Sequence, residues 1–271
     1  MILTFDVGNT ETVIGLFENG ELLEHWRIST RSGHTVDELG LLVRGLIRES
    51  GFNTEDLRSA AIGSVVPPFT RTLADMCERH LGVHVAIINA RSELPISLAV
   101  EEPLTVGADR IVNTLAAATL YRRDTIAVDL GTATTYDCIT AAGVFVGGVI
   151  APGVTTAADT LVARTAKLPR VDLESPPSVI GTRTESCLRS GIFYSAVDSI
   201  DGIVARIKRE WGKPDPLVVA TGGLAPLIGP HCRTVERIEP FLTLYGLEIA
   251  YRHLAERSRS ARVNGTRRPQ R

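Results

Sequence analysis

The sequence predicts an α/β protein made of two copies of one half, each a mixed β-sheet flanked by helices. Three observations carry that reading. Asp6-Val7-Gly8-Asn9-Thr10-Glu11-Thr12 recurs as Asp129-Leu130-Gly131-Thr132-Ala133-Thr134-Thr135, a constant offset of 123 positions (129 − 6) that also carries Gly20 onto Gly143. Each acidic glycine loop follows an apolar run, Met1 to Phe5 and Ile126 to Val128, so each carboxylate sits where a buried strand meets solvent. Within each half, strands come first and helices follow, the order of an α/β layer fold. The expected lobes are residues 1–115 and 116–256, with residues 257–271 as a tail.

The elements follow in order. Thr12 to Phe17 and Glu21 to Ile28 flank Asn19-Gly20, a strong type I′ hairpin signal. Thr35 and Glu38 have capping-box spacing ahead of Leu39, Leu42, Val43, Leu46 and Ile47, whose spacing is helical, and Gly51 stops that helix. A strand at Ala60 to Ile62 leads into Gly63 and Pro67-Pro68, then a helix to about Leu81 and a strand from Val83 to Ile88. Asp109 to Arg122 reads as a helix, and the second repeat begins near Ile126. Further helices are expected at about Thr155 to Lys167 and Glu185 to Trp211, the latter ended by Gly212-Lys213-Pro214. Leu217 to Ala220 is a buried strand opening into Thr221-Gly222-Gly223, and a last helix spans about Gly246 to Ser258. The stretch Arg257 to Arg271 holds six arginines among Ser, Asn, Gly and Pro, the composition of a frayed, solvated terminus.

Composition narrows the function class. With 271 residues and 44% hydrophobic content the chain can bury a sizeable core. A net charge of −2 gives no electrostatic footprint for nucleic acid or an anionic membrane. Cys77, Cys138, Cys187 and Cys232 lie tens of residues apart with no C-x-x-C pair, so reduced core thiols are expected rather than a zinc or redox motif. No run of about 20 apolar residues occurs, the N-terminus enters a strand directly, and the chain reads as cytoplasmic.

The two acidic loops carry the chemistry. A single D-x-G is a common turn after a strand; two copies in register favour a pair of phosphate-binding loops. Facing each other, they would offer backbone N–H groups to phosphates and two carboxylates to cations. Two more segments stand out. In Glu102 to Arg110 a Pro-containing loop runs into a helix whose first turn holds Asp109 and Arg110, a place suited to anions and polar substrate groups, although a lone Asp there also serves as a cap. Gly147-Gly148-Val149-Ile150-Ala151-Pro152-Gly153 is a glycine-rich strand exit. No G-x-x-x-x-G-K-[ST] occurs, which argues against a P-loop kinase.

The paired loops resemble the phosphate clamp of the actin, hexokinase and Hsp70 superfamily, implying a duplicated ribonuclease-H-like (actin-like) fold. Asp6 to Thr10, Pro103-x-x-Val106-Gly107-Ala108-Asp109-Arg110, Asp129-x-Gly131 to Thr135, Gly147-Gly148-x-Ile150-x-Pro152-Gly153, Thr221-Gly222-Gly223 and Leu242-Thr243-Leu244-x-Gly246-Leu247 occur in the order seen in type III pantothenate kinases. The resemblance covers roughly Met1 to Glu256. It implies ATP-dependent phosphorylation of pantothenate to 4′-phosphopantothenate, the first step of coenzyme A synthesis. It implies that Asp6, Val7, Gly8, Asn9, Thr10, Glu11, Thr12 and Val13, with Gly131 and Thr132, bind ATP. Asp6 would orient the Mg2+ shell through water, and Asp129 would ligate a monovalent cation, K+ or NH4+. Gly107, Ala108, Asp109, Arg110 and Thr184 would bind pantothenate, with Asp109 as proton acceptor. Thr184 has a second reading, helix-start chemistry, because Thr182 and Glu185 have capping-box spacing. The resemblance also implies a homodimer, with Thr184 acting in cis or from the partner. One departure is Val100, which stands where many members carry a tyrosine lining the pantothenate site. Two rivals are another small-molecule kinase of the superfamily, which would lack the Val106 to Arg110 segment, and a non-catalytic relative like the Bvg accessory factor, which would lose loop glycines or acids.

Overall fold

The computed structural model describes residues 1–213 and 215–265, with side chains described through residue 260. The strands are β1 (Ile2–Val7), β2 (Glu11–Glu18), β3 (Glu21–Ser29), β4 (Ser59–Ser64), β5 (His84–Ile88), β6 (Ser97–Leu98), β7 (Thr125–Leu130), β8 (Ala133–Ile139), β9 (Val144–Pro152), β10 (Leu217–Thr221) and β11 (Arg237–Ile238). The α-helices are α1 (Val36–Glu49), α2 (Pro67–Met76), α3 (Ala108–Tyr121), α4 (Val154–Ala163), α5 (Thr184–Trp211), α6 (Ala225–Ile228) and α7 (Leu242–Gly265).

The repeat read from the sequence is a repeat of architecture. One sheet has the order β3-β2-β1-β4-β5, and the other runs β9-β8-β7-β10-β11 with β6 added beside β9. In both, the first three strands are antiparallel neighbours and the last three parallel ones. The 123-residue offset maps Ile2–Val7 onto Thr125–Leu130 and Glu21–Ser29 onto Val144–Pro152 without remainder. Asn19 and Gly20 have φ of 52° and 87°, the two left-handed residues of a type I′ turn, and Gly143 repeats Gly20 at φ 78°.

Burial follows strand position. In β1, Leu3, Thr4 and Phe5 are fully buried, as expected of a central strand covered on both faces, whereas the edge strand β3 alternates exposed and partly buried residues. Among the described residues, contacts divide the chain into two units: residues 1–97, 101–116 and 243–265, and residues 98–100 and 117–242. The first unit's core gathers Leu3, Phe5, Ile14, Leu39, Ile47, Ile62 and Phe69 from its sheet and from α1 and α2. The second unit's core gathers Ile126, Val128, Tyr136, Phe193, Val204 and Val218 from its sheet and from α5. Each such side chain contributes about 1.5–3 kcal/mol by leaving water.

Helix boundaries differ from the sequence reading where long-range contacts act. The Thr35 capping box forms: Glu38 N–H donates to Thr35 Oγ1 (3.2 Å) and Thr35 N–H to Glu38 Oε2 (2.8 Å). α2 is continued by a π-helical turn at Cys77–Leu81, closed by Gly82 at φ 65°. α4 ends at Ala163 rather than near Lys167. α7 begins at Leu242, four residues before the expected Gly246, and runs to Gly265, so helix occupies part of the expected arginine-rich tail; positions 266–271 lie outside the described residues. In the first unit, Thr243 Oγ1 donates to Asn113 Oδ1 (3.0 Å), and a methyl group on Gly246 would overlap the Val112 carbonyl. Gly15 and Gly63 leave room for Leu244 and Leu247, each of which would lie 2.9 Å from an added Cβ.

Candidate active site

Within the first unit, the carboxyl ends of β1 and β4 bring two sequence-predicted segments together. Asp6 is paired with Gly63 and Val7 with Ser64. A Cβ on Gly63 would lie 3.7 Å from Ala108 Cβ, and one on Gly107 would lie 3.7 Å from Val65, so the start of α3 packs against the end of β4. The Asp6 loop and the Gly107-Ala108-Asp109-Arg110 segment therefore share one end of one sheet.

The first loop is closed by Gly8 N–H donating to the Glu11 carbonyl (3.0 Å), leaving Asn9 and Thr10 exposed at its tip. A Cβ on Gly8 would lie 3.0 Å from that same carbonyl, tight enough to disfavour any side chain there. Asp6 is partly buried at the end of β1. Downstream, Glu11 pairs with Arg27 (3.2 Å), Thr12 is buried with its hydroxyl 2.8 Å from that of Thr30, and Val13 is partly buried within β2. Thr12 and Val13 are taken up by the sheet, and the exposed part of the predicted ATP segment is Asn9 to Glu11.

Asp109 stands in the first turn of α3, preceded by a 3₁₀ turn at Pro103–Thr105. Its Oδ1 accepts from Arg110 N–H at 2.9 Å, and the carboxylate folds back over Gly107, where any Cβ would overlap it. A side chain at position 107 would have to displace that carboxylate. Arg110 is partly buried, and the helix it enters is fully buried from Ile111 to Ala117.

The second unit holds the repeated loop. Asp129 is partly buried and is paired with Thr135 on one side and Thr221 on the other. Gly222, at φ 87°, packs on it: a Cβ there would overlap Asp129 Oδ1 and sit 3.0 Å from the Leu130 backbone. Gly131 N–H donates to the Ala133 carbonyl (3.1 Å), and Gly131 and Thr132 are exposed. The glycine-rich strand exit then meets this loop. Gly153 lies against the Gly131 and Thr132 carbonyls, and Thr156 Oγ1 donates to the Thr132 carbonyl at 2.7 Å. Sequence reading singled out Gly153 but missed Thr156, because nothing local ties α4 to a loop two dozen residues earlier.

Thr184 is the exposed first residue of α5. The Thr182–Glu185 box does not form. Ser186 Oγ instead accepts from Thr182 N–H (3.1 Å) and Arg183 N–H (3.0 Å), so the helix start is satisfied without Thr184. Val100 is partly buried beside Ala99, whose N–H donates to Phe145 of β9 (2.8 Å).

Among the described residues no three His, Cys, Asp or Glu side chains gather as a metal cage.

Comparison with known proteins agrees with this arrangement. A family model described as type III pantothenate kinase matches residues 2–206. A type III pantothenate kinase from Moorella thermoacetica is 44% identical over 251 residues, covering 93% of this chain and 98% of the relative. Solved structures share the fold at low identity. One is a protein from Campylobacter jejuni described as a Baf family transcriptional activator (TM-score 0.58, 16% identity, 94% and 99% of the two chains). Another is the activator of 2-hydroxyisocaproyl-CoA dehydratase from Clostridium difficile, with bound ADPNP (TM-score 0.53, 10% identity, 96% and 97%). The duplicated sheets, the paired acidic loops and the 44% identity lead to one conclusion: the chain belongs to the type III pantothenate kinases.

Proposed function

We propose that this enzyme transfers the γ-phosphoryl group of ATP to the primary alcohol of pantothenate, giving 4′-phosphopantothenate, with Asp109 as the proton acceptor. The observation that carries the assignment is the position of Asp109 in unit one: a partly buried carboxylate at the same sheet end as the Asp6 loop, over a glycine that leaves it room.

Phosphoryl transfer passes through a loose transition state, so catalysis rests on alignment and on neutralising the equatorial oxygens. Asn9 and Thr10, held by the Gly8–Glu11 closure, are assigned to the ATP phosphates, as are Gly131 and Thr132. Asp6 is assigned to the hydration shell of Mg2+, and Asp129 to a monovalent cation, K+ or NH4+. Bound cations would supply the positive charge that the loops lack. Gly107, Ala108, Asp109 and Arg110 are assigned to pantothenate, with the Arg110 guanidinium suited to its carboxylate. Asp109 takes the hydroxyl proton as the oxygen attacks and holds that oxygen in line, worth about 10²–10⁴ in rate.

The active species is proposed to be a cytoplasmic homodimer, with Thr184 completing the pantothenate site. No described helix is long and apolar enough to cross a membrane. The non-catalytic alternative is disfavoured by the intact loop residues Gly8, Asn9, Gly131 and Thr132 and by Asp109. A coupled assay of ADP release with ATP, Mg2+ and pantothenate, with and without K+, tests the proposal. Turnover that needs pantothenate and rises with K+ is expected; ADP release that ignores pantothenate would overturn it.

A further inference from the structure

We propose that the first turn of α4 sets the direction of the second phosphate loop, with Gly153 and Thr156 as positioning residues for ATP. The proposal rests on the assignment of Gly131 and Thr132 to ATP made above and deepens it.

The loop joining β7 to β8 consists of Gly131 and Thr132, both exposed, so packing from their own side chains does little to fix it. One restraint within it is the hydrogen bond from Gly131 N–H to the Ala133 carbonyl (3.1 Å). Another comes from α4. Gly153, the N-cap, is buried, and a Cβ on it would lie 2.5 Å from the Gly131 carbonyl oxygen and overlap that of Thr132. Thr156, one turn on, donates its hydroxyl to the same Thr132 carbonyl at 2.7 Å. Two consecutive carbonyls are thereby drawn to one helix end.

A trans peptide is planar, with its C=O and N–H pointing in opposite directions. Holding the Gly131 carbonyl toward α4 therefore turns the Thr132 N–H away from it, and holding the Thr132 carbonyl does the same to the Ala133 N–H. A phosphate is recognised by such N–H groups, so the α4 contacts decide whether the loop presents donors or acceptors to it. The absence of a side chain at Gly153 allows the approach, and the Thr156 hydroxyl latches it. Neither residue touches ATP in this scheme.

The test compares Thr156→Val, which removes the donor and keeps the shape, with Thr156→Ser, which keeps the donor, and with Gly153→Ala. ATP affinity is read by calorimetry, together with KM for ATP and for pantothenate, kcat and Tm. Losing one hydrogen bond should raise the ATP Kd and KM of Thr156→Val by about 2- to 12-fold. Its pantothenate KM and Tm should stay close to wild type, and Thr156→Ser should restore ATP affinity. Gly153→Ala should weaken ATP more than Thr156→Val does. Equal ATP affinity in the Val and Ser variants overturns the proposal, as does a Val variant in which both KM values rise and Tm falls together. If the wild type binds ATP but never phosphorylates pantothenate, the substrate assignment fails while the ATP Kd values still decide the role of α4. A wild type that binds no ATP overturns both.

Discussion

Replacing Asp109 with Asn separates a catalytic carboxylate from a helix cap. The carboxylate makes one local hydrogen bond, Oδ1 accepting from Arg110 N–H at 2.9 Å, and an Asn carbonyl can accept the same bond. Asn also fits over Gly107 as Asp does, because the two side chains have the same shape and nothing but hydrogen stands at that Cα. Asn and Asp are nearly equal as helix-start residues, so the fold should lose only a few tenths of a kcal/mol. The charge that accepts a proton is lost, however, and a general base is worth about 10²–10⁴ in rate, or about 3–5 kcal/mol of transition-state stabilisation. The assay is steady-state ADP release with saturating ATP and pantothenate, with ATP affinity measured separately and Tm recorded for both proteins. Reduced kcat, with unchanged ATP affinity and Tm, is expected. A folded Asp109→Asn enzyme with wild-type kcat would remove Asp109 from the mechanism and leave it as a cap.

Three further outcomes are expected. Asp129→Asn should lower activity strongly and blunt stimulation by K+, measured as a K+ titration of initial rate; an unchanged K+ response in an active mutant would contradict the cation assignment. Light scattering should find a dimer, and specific activity should fall on dilution below its dissociation constant, whereas a fully active monomer would refute the shared site. The third concerns Asp201, buried in the second unit, which accepts from Thr234 N–H and Oγ1 (2.9 and 2.7 Å) and from Arg233 N–H and Nε (3.1 and 3.2 Å). Burial pushes this carboxyl's pKa up, but the four donors outweigh it and hold the group below the usual range. Its stabilisation is therefore present above the unfolded pKa of about 3.9 and is lost as pH falls through the folded value. Asp201→Asn should cost about 1.5–3 kcal/mol at pH 7 by denaturant titration, with the gap closing below about pH 4. A gap independent of pH would show that the charge is not what matters.

The repeat was legible because a duplicated strand–loop–strand unit keeps its spacing: the first and third strands of each half coincide under one offset. What the offset hides is a difference in loop closure. Asp6 is paired with Val13, yet Asp129 is paired with Thr135, one position earlier, and Gly131 closes on Ala133 where Gly8 closes on Glu11. The second loop is thus tighter, and the α4 contacts at Gly153 and Thr156 are associated with it alone. Local sequence cannot reveal such a contact, since the partners are 24 residues apart in numbering. The early start of α7 has the same origin. Leu244 and Leu247 fill the room left by Gly15 and Gly63, glycines inside strands that in retrospect mark close approach. For the candidate site, motif order singled out Asp6, Asp109 and Asp129, which stand near the ends of β1 and β7 and in the first turn of α3. It could not show that Thr12 would be tied to Thr30 or that Ser186 would satisfy the start of α5 in place of a Thr182–Glu185 box.

The central claim is that the acceptor is the primary hydroxyl of pantothenate. Mass spectrometry and 31P NMR of a reaction containing the purified protein, ATP, Mg2+, K+ and pantothenate test it most directly. The account predicts one new phosphomonoester on that hydroxyl, formed in step with ADP. Unmodified pantothenate after ATP has been consumed, or phosphate on any other position of it, would contradict the account.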